Sequence, residues 1–297
     1  ELRPDAVIFV DYPGFNLRLA RSLHERMVPV RLINYISPQV WAWNRGRVHR
    51  VADWIDLMLC LFPFEEAMFK DAGLPTVCTG HPIVDELEAG RIEASREENL
   101  VGLFPGSRER EVSRLFPTML EAAVRLHEKF PGWKFEASAA SQLLEDQMRS
   151  IAGDHPANQL PLAIVQGRSH ELMQRAWCGV VTSGTATLEA SYYGMPYCLV
   201  YKVAWPTYLL GRVLVDIDHL GMANILAGRE IVHEFIQQEA NAANLSSFLE
   251  SVMTDEVRRT ELVDNLLEAA GKLGGGGAAE VAAGAIVDLL DGQGDDD

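Results

Sequence analysis

The sequence predicts an α/β protein built as two Rossmann-like halves, and three observations carry that reading. Short apolar runs alternate with amphipathic stretches along the chain, the βαβ rhythm of a parallel sheet covered by helices. One polar segment, residues 86–99, interrupts the rhythm and reads as a linker. The residues with chemistry to offer stand just after the apolar runs, and open α/β sheets bind ligands at the carboxyl ends of their strands.

In the first half, strand Ala6–Val10 leads into helix Asn16–Arg26 and strand Arg31–Ile36. A helix over Asn44–Ile55, strand Leu57–Phe62, helix Pro63–Ala72 and strand Thr76–Thr79 complete it. The second half opens with strand Leu100–Phe104 and the turn Pro105-Gly106-Ser107, followed by helix Val112–Lys129 and strand Trp133–Ala137. Helix Leu143–Ala152, strand Leu162–Val165, helix His170–Ala176, strand Gly179–Thr182, helix Thr185–Tyr193 and strand Tyr197–Tyr201 follow. Helices near Ala243–Met253, Glu256–Leu273 and Ala278–Leu290 close the chain. The expected domains are 1–90, 98–255 and a helical tail, 256–297. The glycine run Gly274–Gly277 suits a last helix that crosses back to the first domain or is exchanged between two copies.

Composition narrows the function classes. The chain has 297 residues, 48% apolar and 23% charged, as soluble globular proteins do. A net charge of −16 argues against general nucleic-acid binding. No signal peptide is visible, and no uninterrupted apolar run reaches the roughly 18 residues of a membrane span. Cys60, Cys78, Cys178 and Cys198 lie in apolar runs without metal-ligand spacing and read as reduced core thiols of a cytoplasmic protein. Glu1–Asp5 reads as the end of a helix, so the chain is expected to begin partway through a domain.

The most pointed motif is Thr182-Ser183-Gly184-Thr185-Ala186-Thr187-Leu188-Glu189, where a strand breaks and a helix opens on small hydroxyl residues. The first N–H groups of a helix lack internal partners, and the macrodipole adds positive charge there, which suits a phosphate. Glu189 would then accept from a sugar or ribose hydroxyl; the alternative is that Ser183 and Thr185 simply cap the helix. Ser107 and Arg108 follow another strand, and the planar Arg108 fork suits a phosphate, though Arg110 and Arg114 allow a solvated surface reading. Gly167 begins a third such turn, which could hold a nucleobase through backbone groups or cap a helix from Ser169. Asn224 opens the segment Asn224–Glu230, which combines an amide, a glycine turn and the Arg229/Glu230 dyad, or is a plain loop.

Asp11, after the first strand, has the position of a general base or of a helix cap. His81, after the strand Thr76–Thr79, serves proton transfer or structure. Trp41 and Trp43 beside Arg45 and Arg47 suit an amphiphilic anion or a membrane surface, with core burial as the other reading for each ring. The apolar stretch Trp205–Val215 reads as a core helix or as a surface meeting acyl chains.

Together these segments resemble the lipid-A-disaccharide synthase family, inverting glycosyltransferases of the two-Rossmann GT-B architecture. The resemblance rests on Val10-Asp11 with Phe15-Asn16, Tyr35–Trp43, Leu61-Phe62-Pro63-Phe64-Glu65, Gly80-His81-Pro82, Leu103–Arg108, Ser183–Glu189 and Asn224–Glu230. It implies transfer of 2,3-diacylglucosamine from UDP to 2,3-diacylglucosamine 1-phosphate, giving a β-1,6-linked disaccharide monophosphate and UDP. It implies Asp11 as base, and donor binding by Arg108, Ser183, Gly184, Thr185, Glu189 and Asn224. By their own positions after strands, His81 is the other candidate base and Ser107 and Gly167 are further donor-site candidates. No metal or other cofactor is implied, and the family works as peripheral proteins at the cytoplasmic face of the inner membrane of Gram-negative bacteria. Members carry a further segment ahead of the position of Glu1, so the first domain is expected to lack its N-terminal strands and to expose a sheet edge. Gly14 stands where some relatives have an acidic residue. Rival readings are a non-catalytic UDP-sugar-binding fragment, another GT-B transferase or 2-epimerase using UDP-N-acetylglucosamine, and a membrane adaptor acting through Trp205–Val215.

Overall fold

A computed structural model of the chain describes residues 4–43, 46–155, 160–203 and 218–292. Trp205–Val215 and Arg45 lie outside the described residues, as does the side chain of Trp43. The described residues divide into two compact units, 4–86 with 272–292, and 87–203 with 218–271.

The first unit is a parallel sheet of four strands in the order β1 (Ala6–Val10), β2 (Arg31–Tyr35), β3 (Leu57–Cys60) and β4 (Thr76–Cys78). Helices α1 (Pro13–Glu25), α2 (Val40–Trp43), α3 (Arg47–Ala52), α4 (Pro63–Asp71) and α5 (Ile83–Ala89) belong to the connections. On one face Phe9, Met58 and Cys60 meet Leu17 and Ala20 of α1, Val48 and Val51 of α3 and Phe69 of α4. On the other, Ile33, Leu57 and Leu59 meet Ala282, Ile286 and Leu289 of the last helix. A parallel strand covered on both faces reads as a continuous apolar run, and β3, Leu-Met-Leu-Cys, is buried throughout. β1 is an edge strand, with Ile8 and Val10 about half exposed at 47% and 55%.

The second unit is a six-stranded parallel sheet. Its strands are β5 (Glu97–Phe104), β6 (Lys134–Ala139), β7 (Leu162–Gln166), β8 (Ala176–Thr182), β9 (Tyr197–Tyr201) and β10 (Glu234–Ile236), in the order β10-β9-β8-β5-β6-β7. The order reverses direction at β5, where β6 and β8 flank it, and such a switch point opens a crevice at the strands' carboxyl ends. Helices α6 (Glu109–Lys129), α7 (Gln142–Gly153), α8 (Ser169–Arg175), α9 (Thr185–Tyr192), α10 (Met222–Ala227), α11 (Ala242–Thr254) and α12 (Glu256–Gly271) belong to this unit. Helix α13 (Ala278–Asp291) is the one that packs on the first sheet.

Several elements differ from the sequence reading. Of the helix expected over Asn44–Ile55 the described part is α3 alone, Arg47–Ala52 with Gly46 as its N-cap, and the short α2 ahead of it was not expected. Segment 86–99 is not a plain linker: α5 ends within it and β5 begins at Glu97. Asn224 lies in α10 rather than in a loop. All four cysteines are free, and only Cys78 is not fully buried. Among the described residues no helix is long and apolar enough to cross a membrane.

Candidate functional site

A cavity of about 500 Å³ opens at the carboxyl ends of the second sheet's strands. That is within the ~300–1,000 Å³ of ordinary small-molecule sites. Seven of the eight donor-binding candidates line it, drawn from three separate turns: Ser107, Arg108, Gly167, Ser183, Gly184, Thr185 and Glu189.

The turn after β5 is shaped by Gly106, whose φ of +111° is a conformation side chains rarely adopt. A Cβ there would also stand 2.8 Å from Cβ of Glu111. Glu111 is what fixes this turn: its carboxylate accepts from the Ser107 N–H at 3.1 Å and from Arg108 Nη1 at 2.8 Å. Arg108 is otherwise exposed, and the rest of its fork faces outward for a ligand.

The turn after β8 is anchored by Ser183 N–H donating to Val200 O at 3.1 Å. Gly184 follows with φ +151° and ψ −163°, a region essentially restricted to glycine. The Thr187 hydroxyl donates back to Gly184 O at 2.7 Å and secures the first turn of α9. The leading N–H groups of α9 thus face the cavity through Gly184, Thr185 and Ala186, all small. Thr182, just ahead, is 5% exposed, and its hydroxyl has no hydrogen-bond partner. A buried hydroxyl left unpaired costs about 1–3 kcal/mol, so this wall is built to receive one more polar atom. Glu189 sits one turn further along, with His170 Nε2 at 3.4 Å from its Oε2. Gly167, at φ +69°, donates to Ala139 O at 3.1 Å and brings bare backbone to the cavity's far side.

Asn224 stands apart from the other donor-site candidates. It is fully buried; Nδ2 donates to Val232 O and Glu234 Oε1, each at 2.8 Å, while Oδ1 accepts from the N–H groups of Ile231 and Val232. With every polar position spent on α10 and β10, it braces the fold and does not line the cavity. The Arg229/Glu230 dyad does not pair either: Arg229 donates to Asn265, and Glu230 pairs with His233.

In the first unit, Asp11 is exposed at the end of β1, its N–H donating to Tyr35 O at 2.9 Å. Asp11 and Tyr12 both have positive φ, 47° and 42°. Such strain persists where the surroundings enforce it. Here Asn16 Nδ2 does so, donating to Val10 O at 3.1 Å and Asp11 O at 2.7 Å. His81 is half-buried, and burial lowers its pKa. Its Nδ1 accepts from Ile83 N–H at 3.1 Å, which caps α5 and leaves the neutral ring's proton on Nε2. In that tautomer His81 is a donor rather than a base.

Trp41 is tied inward. Its indole N–H donates to Glu65 Oε1 at 3.0 Å, and its ring meets Phe64 edge-on at 5.4 Å. Glu65 is 2% exposed and also accepts from the N–H groups of Leu61 and Phe62; burial pushes its carboxyl up. Trp41 therefore ties α2 to the start of α4 in the first unit. Arg47 is exposed at the start of α3.

The family model for lipid-A-disaccharide synthetase matches residues 1–273. The chain belongs to the lipid-A-disaccharide synthetase family. It is a hexosyltransferase of lipid A biosynthesis. The lipid-A-disaccharide synthase of Trichlorobacter lovleyi is 37% identical over 298 residues, covering 97% of this chain and 76% of that protein. The corresponding protein of Syntrophus aciditrophicus is 38% identical over 301 residues, with the same coverage. Two solved structures share the GT-B fold at low identity. A UDP-N-acetylglucosamine 2-epimerase described as putative, from Listeria monocytogenes, gives a TM-score of 0.62 at 14% identity, over 96% of this chain and 74% of that one. The UDP co-structure of Staphylococcus aureus MnaA gives 0.61 at 12%, over 97% and 74%.

In this member of the lipid-A-disaccharide synthetase family, Asn16, Glu65, Glu111, His170 and Thr182 are residues to which the sequence assigned no role, although Asn16, Glu65 and Thr182 stand within its motifs. Glu111 had a signal, an acidic residue four after Ser107 at a helix start, the spacing of a side chain that reaches back to a turn. Thr182 had none, because a missing hydrogen bond is visible only in three dimensions.

Proposed function

We propose that the chain transfers 2,3-diacylglucosamine from its UDP carrier to 2,3-diacylglucosamine 1-phosphate by a single inverting displacement. The cavity at the switch point of the second sheet is the observation that carries this reading, because it gathers seven of the motif residues around one space. The donor's nucleotide lies there, with the diphosphate against Arg108 and the N-terminus of α9. Glu189 takes a hydroxyl of the ribose or sugar, and Gly167 offers backbone to the base.

Asp11 accepts the proton of the acceptor's 6-hydroxyl as that oxygen attacks the anomeric carbon. The bond to UDP breaks on the opposite face, and the negative charge reaching the diphosphate meets Arg108 and the helix dipole. Fixed donors aimed at developing charge are typically worth ~3 kcal/mol each. Asp11 is preferred to His81 because the Nδ1 lone pair of His81 is held by Ile83 N–H. Both lipid substrates bring the chain to the cytoplasmic face of the inner membrane, and the exposed Arg47 is a contact suited to an anionic surface.

The test is incubation with UDP-diacylglucosamine and the diacylglucosamine 1-phosphate acceptor, following UDP and disaccharide together. Equal amounts of both are expected. UDP released without disaccharide, or tight UDP binding with no turnover, would replace the transferase reading with a binding one.

A further inference from the structure

A second cavity, of about 240 Å³, adjoins the first and has a lopsided charge. Arg108, Arg110, Arg114 and Lys202 line it against a single carboxylate, Glu111. That carboxylate is already occupied by Arg108 and the Ser107 N–H. Arg110 and Arg114 are exposed, and among the described residues no carboxylate holds either of them. Lys202, just past β9, is half-buried. Its Nζ donates to the Thr118 hydroxyl at 3.2 Å, and burial lowers its pKa against the opposing pull of Glu121. A partly desolvated ammonium gains most from an arriving anion. The wall between the two cavities includes Thr182, the buried residue whose hydroxyl lacks a partner.

The size of the space limits its occupant. At about 240 Å³ it is smaller than the ~300–1,000 Å³ of sites that enclose a whole small molecule, so it takes one end of a ligand. The diphosphate's proposed partners, Arg108 and the N-terminus of α9, line the larger cavity, and Arg108 is shared by the two, whereas Arg110, Arg114 and Lys202 line the smaller one alone. What remains is a place for a second, compact and highly charged anion, and two arginine forks with an ammonium suit the three terminal oxygens of a phosphomonoester.

We infer that the smaller cavity binds a phosphomonoester carried on a lipid. Resting on the function proposed above, its occupant during turnover is the anomeric phosphate of the acceptor. The sugar's phosphate is then held by the unit that binds the donor, with Arg110, Arg114 and Lys202 as determinants of acceptor specificity. A membrane phosphatidate carries the same chemical group and is the other source of it.

The experiment compares the intact chain with R110A/R114A, R110K/R114K and K202M. For each, KM for acceptor in detergent micelles, kcat, UDP affinity by calorimetry, and co-sedimentation with phosphatidate or phosphatidylcholine vesicles are measured. Expected for R110A/R114A and K202M is at least a tenfold rise in acceptor KM, with kcat and UDP affinity within twofold of the parent. R110K/R114K should recover part of the loss. A loss confined to phosphatidate vesicles, with acceptor KM unchanged, also supports the phosphomonoester site and assigns it to the membrane lipid. Weakened UDP binding would overturn the inference by giving this cavity to the donor diphosphate, and so would variants matching the parent in every measurement. If the parent itself shows no turnover, the transferase reading fails. Vesicle binding and displacement by glucosamine 1-phosphate still decide the site.

Discussion

Asn16 donates from one amide nitrogen to two successive carbonyls, and this holds Asp11 in a left-handed conformation at the mouth of its turn. Asn16→Ala removes both bonds while leaving Asp11 in place. It should slow turnover about tenfold with UDP affinity unchanged, a split that a general loss of fold would not give. His81 offers a pH test. Burial lowers its pKa below the ordinary 6.5, so the unfolded chain takes up the proton first as the solution is acidified. Stability is therefore unaffected above about pH 6.5 and falls below it. His81→Asn keeps an acceptor for Ile83 N–H without a titrating ring, and should flatten the decline in urea midpoint between about pH 6.5 and 5. The places of Asp11 and Arg108 at strand ends were legible in the sequence, because each follows closely on an apolar run. The burial of Asn224 was not legible, since a buried asparagine that satisfies a turn and one that binds a ligand share a sequence signature.

Among the elements, the turn into α9 carries the donor hypothesis. Gly184 has open space where a Cβ would stand, so Gly184→Ala meets no clash and its cost is conformational, about 1–3 kcal/mol at this φ and ψ. UDP affinity should fall about tenfold, with a drop of a few degrees in melting temperature. The central strands β3, β8 and β9 were readable because they are buried almost throughout and their runs are largely apolar. β10 escaped because three residues, Glu234–Ile236, hold no pattern. The acidic stretch of α5 resembled a linker, since Leu87 and Val84 are its only fully buried side chains. The helix expected over Asn44–Ile55 is shorter, Arg47–Ala52, because Gly46 caps its start and Asp53 its end while the apolar spacing runs on past both.

At the scale of the whole chain, the first unit depends on residues distant in sequence. Helix α13 covers one face of its sheet, with Ala282 against Ile33, Leu57 and Leu59. Ala282→Glu would bury an unpaired carboxylate there and should destabilise the first unit by more than about 3 kcal/mol, read as an early transition in denaturant unfolding. The Gly274–Gly277 run left two destinations for the last helix, a return to the first domain or an exchange between copies, and the apolar stripe of α13 meets the first unit's own sheet. The two units divide the chemistry, since the proposed base stands in the first and the nucleotide cavity in the second. What separates a transferase from a nucleotide-binding protein is therefore the role of Asp11. The decisive measurement is turnover and UDP affinity of Asp11→Asn beside the parent chain. Removing a general base should slow turnover by about a hundredfold or more, with UDP bound as before and the melting temperature unchanged. Near-parental turnover would contradict that role and remove Asp11 from the reaction.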